Sequence, residues 1–585
     1  MPLIRIITKM IHLVMKRILL IQFIILLVSI PVSAQNDQQD LEREVTLYNP
    51  YKPSLSLVKK RSYLPAMNDT AGIRPDFTYQ ITTKPFFPEY TISPIKAASL
   101  LPDPLPRLYK SYVKIGIGNY ITPFAELSIT NERSKKGAIG FYARHFSTNG
   151  KVKLQNDEKV FAGYMDNDAS LYGKKFFRKN LLEGALDFRQ KTRYAYGYDP
   201  SLTYSPEKKD IRLNYYNPGA NLSFSSITLD STSFTYDFNL DYDFFFNTSD
   251  LFQHHAGVDG IMAKSFKGFY VGSGAEFDLY LPSGYIYEGS TYIVSLSPFL
   301  KKSTQQWNFK AGIQLLIDKD TTDSPKFHFY PDVRFGFSIV PEYVSFFAAL
   351  NGRLEVNAPQ RIIDENPFIF SDGTLFTLKN TSYPLIVSAG LNGNTGIGGN
   401  YLVSASYSFI NDMLFFTNRI YLPLPPPGST SLMGNYFIPV SDDGELLQIH
   451  GEMTGRIKDQ FYFGGSANWY KYTLSVTEFP WNKPDWDGRI GIKYNLRDKI
   501  IAGVDVTALG KRNLLVTDID PLSVTPQIKF KEPVHVNLNF SAEYRYTKIL
   551  SFWLKLDNIA FKQYYEWAYY PSQRFMGLVG FTYSL

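Results

Sequence analysis

The 585-residue chain has no cysteine, which removes disulfides, thiolate metal sites, cysteine nucleophiles and a lipid-modified N-terminal cysteine together. Past the N-terminus it also lacks any apolar run of the roughly 20 residues that a membrane-crossing helix needs. Histidine is scarce, with seven in all, and only His254 and His255 are adjacent. Neighbours on a strand point to opposite faces, so the pair is not expected to chelate one metal, and no cofactor is expected. Serine is plentiful, but no nucleophile, base and orienter stand out together; the chain is not expected to be an enzyme. Its net charge of +7 does not point to nucleic acid, because the N-terminus directs export and carries part of that excess.

That N-terminus reads as a secretory signal over residues 1–34: Lys16 and Arg17, the apolar Ile18 to Val32, then Ser33-Ala34 before Gln35. Met15 is an alternative start, since the stretch from there already holds the charged, apolar and small-residue parts. Aromatic residues make up 16% of the chain, with 45 Phe, 42 Tyr and 6 Trp. Alternation is their commonest setting. In Phe234 to Phe244 the residues Phe234, Tyr236, Phe238, Leu240, Tyr242 and Phe244 share one face and Thr235, Asp237, Asn239, Asp241 and Asp243 the other. Val534 to Tyr546 repeats this. The last stretch puts Phe575, Gly577, Val579, Phe581, Tyr583 and Leu585 on one side, so the chain ends in an amphipathic strand. Period two means one face against an apolar medium; three aspartates on the other face are costly in a dry core and suit a hydrated lumen.

Ten short, basic or glycine-containing turns punctuate these segments, from Asn131–Gly137 through Lys174–Asn180, Lys264–Gly268 and Ile457–Gln460 to Thr547–Lys548. Longer linkers lie between them, the longest near Ala358–Tyr383, Leu422–Asp443, Ser475–Asp487 and Gly510–Pro533. Membrane barrels have short periplasmic turns, longer outer loops and an even strand number. The pattern predicts an all-β fold: a large antiparallel transmembrane β-barrel over residues 108–585, of about 22 strands within a range of about 16–24. A soluble β-sandwich or propeller is the competing fold. Residues 35–107 hold ten prolines, from Pro50 to Pro106, which disfavour helix interiors and central strands. They are expected to form an extended periplasmic or lumen-lining segment.

The C-terminal residues 536–585 carry a resemblance. Leu556-Asp557-Asn558, the aromatic stretch Tyr564 to Tyr570, Pro571 and the final strand resemble the closing strands of the TonB-dependent receptor barrel in Bacteroidota. The resemblance implies an outer-membrane location, insertion by the barrel-assembly machine and a role in solute transport. One departure stands against it. Such receptors carry an N-terminal plug of well over a hundred residues, whereas only about 75 lie between Gln35 and the first strand, so no standard plug fits. Glu44-Val45-Thr46-Leu47 is a weak match to the segment that engages the energy-coupling protein; an ordinary linker fits it better. The alternatives to solute transport are a structural or assembly subunit of an outer-membrane complex and, further off, an outer-membrane hydrolase.

Candidate contact residues are few. Arg133, Lys135 and Lys136, then Lys174, Lys175, Arg178 and Lys179, then Lys264 and Lys267, joined by Lys301 and Lys302, are expected to form a basic rim at the periplasmic end, facing lipid phosphates or an acidic partner protein. Trp481 and Trp486, in the loop TEFPWNKPDW, are candidate external contacts, for a sugar ring or as a lid folded back on the barrel. Trp469, Tyr470 and Trp553 are expected in the interfacial aromatic girdles. Asp318, Asp320 and Asp323, and the pair Asp442-Asp443, offer oxygen ligands without the spacing of a calcium loop and are expected to be solvated.

Overall fold

The computed structural model describes residues 110–585, apart from 132–133, 135, 156, 198–206, 228–232, 249, 284–289, 321–323, 370–377, 397, 421–434 and 519–526. The segment 35–107, Glu44–Leu47 within it, Arg133, Lys135 and Asp323 therefore lie outside the described residues. Twenty-four strands hydrogen-bond into one sheet. Two of them, Arg512–Asp518 and Gln527–Glu532, form a hairpin joined to the rest by parallel pairing of Asn418–Ile420 with Val516–Asp518. The remaining 22 form a closed antiparallel barrel. Closure comes from pairing the first strand, Ser111–Gly118, with the last, Met576–Ser584, in a register that sets Tyr112 beside Ser584 and Gly118 beside Leu578. Leu585 N–H donates to the Ser111 carbonyl at 2.7 Å, so the C-terminal residue belongs to the seam.

Alternation decides what each strand shows to lipid. On the last strand Val579, Phe581 and Tyr583 are exposed outward; on Thr235–Asn247 it is Phe238, Leu240 and Tyr242; on His535–Arg545 it is Val536 and Tyr544. The apolar residues left open to the outside are thus the ones the two-residue period puts on that face. A closed ring also satisfies every strand edge, which hydrocarbon requires. This barrel spans the outer membrane. Among the described residues no helix is long and apolar enough to cross a membrane.

Both termini of the barrel and the short turns among the described residues fall at one end, the periplasmic one. The wall is uneven. At the seam the strands Ser111–Gly118, Leu550–Asp557 and Met576–Ser584 have only 8, 8 and 9 residues, while Asn400–Ile420 and Asn435–Ile457 have 21 and 23. At roughly 3.3 Å per residue the tall pair overshoots the hydrocarbon layer on the outer side. It corrects one expectation: Leu422–Asp443, taken as loop, is strand from Asn435 onward, because its apolar residues pack on the cap described below rather than on lipid.

A second correction concerns the girdle. Trp469 is exposed on the outer face, but Tyr470, its neighbour, faces the lumen and donates from its hydroxyl to Asp487 Oδ2 at 2.8 Å. Trp553 also points inward, since Phe552 takes the lipid side. Its ring lies over Gly116 and Gly580, which face each other across the seam; a Cβ on either would come within 2.4 Å of it. Lys114 Nζ sits 4.9 Å from the ring centre.

Candidate functional site: the capped outer mouth

The largest buried apolar cluster lies in none of the strands' membrane-spanning parts. It joins Tyr215, Phe245 and Leu251 from one arc of the ring to Ile362, Ile363, Phe368 and Ile369 from the connection after Val344–Glu355, Leu414, Phe416 and Phe437 from the tall pair, Leu514 and Val516 from the hairpin, and Trp567, Ala568 and Tyr570 from the last outer connection. These segments are spaced around the whole circumference, so a contiguous cluster among them must cross the mouth. The described parts of these segments turn inward and meet in a dry cap. At its centre Phe368 stacks on Tyr570 with ring centres 3.9 Å apart, Tyr196 meets Tyr570 edge-on at 5.1 Å, and Trp567 meets Phe416 and Phe437 at 5.5 and 5.3 Å. Aromatic pairs of this kind add about 0.5–1.5 kcal/mol beyond their buried area.

A short helix, Pro359–Glu365, is the inner member of the cap. Proline at its first turn suits a position whose N–H has no helical partner; Ala358 supplies no side-chain cap, and Gln253 Oε1 on the wall accepts from Gln360 N–H instead. Ile362 and Ile363 turn into the cluster and Asn366 leaves the helix in extended conformation. Two carboxylates, Asp364 and Glu365, occupy the C-terminal end, where the helix dipole disfavours negative charge. Cations from elsewhere compensate. Lys191 Nζ lies 2.6 Å from Asp364 with Arg189 at 3.8 Å, and Lys483 lies 2.7 Å from Glu365. The helix is clamped between opposite arcs of the barrel.

Arg512 ties the outer layer. It is 5% exposed and donates to Asn482 Oδ1 at 3.0 Å and to the carbonyls of Glu566 and Tyr565 at 2.9 and 2.5 Å, linking three connections. Burial pulls its pKa down, with Glu532 and Glu566 opposing. Glu566 lines the chamber beneath the cap, and desolvation there pushes its carboxyl pKa up against the pull of Arg193 and Arg512. That chamber is a cavity of ≈ 560 Å³ lined in part by Lys191, Arg193, Asp364, Glu566 and Arg574.

Below it the wall carries charge in alternating sign. Lys114, Glu126, Arg144, Asp168 and Arg189 stand in register on five successive strands of the ring, all on the lumen face. Opposite charges set directly across strands stabilise each other and keep the lumen polar. His255 joins a similar group: Nε2 is 2.9 Å from Asp278, Nδ1 is 3.6 Å from Asp243, and Tyr280 stacks on the ring at 4.3 Å. Asp241, His255 and Asp278 bring their ligand atoms within 4.8 Å of one another, but both ring nitrogens already face carboxylates. His254 faces outward, stacked on Phe244 at 4.5 Å. Adjacency placed the two rings on opposite sides; the acidic partners of His255 come from other strands and become visible only with the register.

Trp481 is 4% exposed and packs edge-on against Phe479 in a second cluster with Tyr383, Ile410, Met413 and Phe415. Trp486 opens the strand Trp486–Leu496, opposite Trp469. The structure therefore does not bring the two tryptophans together. Of the basic rim, Lys136, Lys174, Lys175, Arg178, Lys179, Lys264, Lys267 and Lys301 are exposed at the periplasmic end, with Lys302 half-buried. The acidic loops depart from expectation. Asp318, Asp320 and Asp442 are buried: Asp318 accepts from Asn380 Nδ2 at 2.8 Å, Asp320 lies 3.7 Å from Lys326, and Asp442 accepts from the N–H groups of Val476 and Thr477 and from the Thr477 hydroxyl. They pin outer connections instead of facing solvent.

No family model and no curated protein matches the chain. Its fold is similar to solved structures. The ferric-catecholate import receptor Fiu of E. coli K12 superposes with a TM-score of 0.60 at 11% identity, covering 82% of each chain. The pyoverdine outer-membrane receptor FpvA of Pseudomonas aeruginosa gives 0.59 at 11%, over 82% of this chain and 79% of that one, and the copper transporter OprC 0.57 at 11%, over 82% and 81%. At such identity the likeness is one of fold.

Proposed function

We propose that the chain carries a solute across the outer membrane through this barrel, with the cap as its gate. The observation that supports the proposal is the pairing of a hydrated, sign-alternating lumen wall with a closure made of loops that have their own apolar core. A gate of that kind opens without breaking any barrel strand. Structural neighbours named as an import receptor and a copper transporter agree with transport as the class of activity. The solute is not identified by them.

A second reading is a structural or assembly subunit of an outer-membrane complex, and the dryness of the cap favours it. Single-channel conductance of the purified protein separates the two. It is recorded for the whole chain, for a form lacking residues 36–107, for a form with 356–380 shortened to a tight turn, and for both changes together. Current that appears when the cap is shortened supports the gate; silence in all four forms overturns transport and leaves the scaffold. The basic rim is proposed as the contact with lipid phosphates or an acidic periplasmic partner. Reversing Lys174, Lys175, Arg178 and Lys179 to glutamate is expected to lower assembled barrel or partner recovery, and unchanged assembly with unchanged pulldown refutes that role.

A further inference from the structure

We propose that Arg189 and Lys191 form a binding site for a carboxylate or phosphate group of a solute in the lumen, and that its occupation releases the helix of the cap. The strand Asn180–Tyr194 sets Arg189, Lys191 and Arg193 at alternate positions on the lumen face, while Leu186 and Phe188 face lipid. Arg193 is committed to the wall: Nη1 donates to Asp166 Oδ1 at 2.8 Å and to the carbonyls of Met165 and Thr192. Arg189 and Lys191 have Asp168 and Asp166 as cross-strand neighbours, yet both turn to Asp364, and their side chains remain 48% and 30% exposed. The wall thus already holds a carboxylate, and that carboxylate belongs to the movable element.

Asp364 also lines two cavities, of ≈ 560 and ≈ 500 Å³, on either side of the helix. Lys191 lines the first of these, so a solute anion arriving there meets its ammonium, with the planar Arg189 guanidinium, 3.8 Å from Asp364, as the neighbouring donor suited to bidentate contact. Two anions held against the same pair of cations repel each other, so a bound solute weakens the hold on Asp364. The ligand therefore binds the released state more tightly than the closed one, and that difference shifts the population toward release. Glu365 with Lys483 is a second clamp, which makes release graded.

The inference deepens the proposed gate, but its test reads no flux. Gln360→Cys and Asp250→Cys place spin labels on the helix and the neighbouring rim, on a full-length chain with no cysteine of its own. Citrate, and inorganic phosphate as a second arm, are titrated at constant chloride, with calorimetry for affinity and dipolar distances for the helix. Citrate or phosphate is expected to lengthen the distance. R189Q/K191Q is expected to weaken binding about tenfold, and D364N to tighten it about threefold, the size of a partly exposed ion pair relieved. Equal affinity in R189Q/K191Q, or unchanged affinity in D364N, overturns the site; saturation without movement of the labels overturns the release. A barrel that binds and releases but never conducts would leave this inference standing and overturn transport.

Discussion

Replacing Tyr570 with alanine tests whether the cap is a cooperative unit separate from the barrel. Tyr570 is 1% exposed and touches two other connections through Phe368 and Tyr196 and the tall strand pair through Phe437. Truncating a buried aromatic costs on the order of 3–5 kcal/mol, and none of its neighbours can fill the space, since they are rings held from other strands. At about 1.4 kcal/mol per factor of ten, the opening equilibrium of the cap should shift roughly 10²–10⁴-fold toward open. Hydrogen exchange reads this directly. The Phe437 amide, which donates to the Phe368 carbonyl, and the peptides covering 359–369 and 512–516 should lose protection by that factor, while the seam strand Met576–Ser584 keeps its own. Tyr570→Phe, which keeps the ring, should cost about 1 kcal/mol. Unchanged protection in the cap peptides, or equal loss in the seam, refutes a separately opening cap.

Arg512→Lys should not rescue the loss of protection caused by Arg512→Met, because a lysine cannot reach three acceptors spread over two other connections; protection around 482 and 565–570 in the two variants is the comparison. Glu566 has its pKa raised above the ordinary 4.5 in the closed cap, so its contribution to closure is full below that value and declines as pH rises through the raised pKa. Glu566→Gln should therefore increase cap protection at neutral pH and leave it unchanged at acid pH, and a pH-independent ratio of variant to wild type refutes the assignment. Gly116→Ala brings a Cβ to 2.4 Å from the Trp553 ring and 2.9 Å from the Val579 carbonyl; the barrel's heat-modified gel transition should move to lower temperature, with partial rescue by Trp553→Ala because the carbonyl contact persists.

The sequence by itself determined the barrel. A two-residue period is a local property, and it shows on single strands such as Phe234–Phe244 and Met576–Ser584 without knowledge of neighbours. The same holds for the ten short turns, and counting through them reaches the observed 22 strands. The inward turn of Trp553 follows from the same period, which sets it with Ser551, Lys555 and Asp557 against Leu550, Phe552, Leu554 and Leu556; what no single strand shows is that Gly116 and Gly580 lie across the seam and leave room for its ring. The cap was hidden altogether. Proline, aromatics and long linkers at 356–380, 510–534 and 558–575 mark loops, but whether a loop extends into water or folds over the mouth is settled by what it finds there. Phe368 finds Tyr570, and Asp364 finds Arg189 and Lys191, from strands far apart in the chain. Contacts across a closed ring follow from its circumference and register, which no stretch of sequence contains; tertiary structure alone decided that these outer connections meet across the mouth.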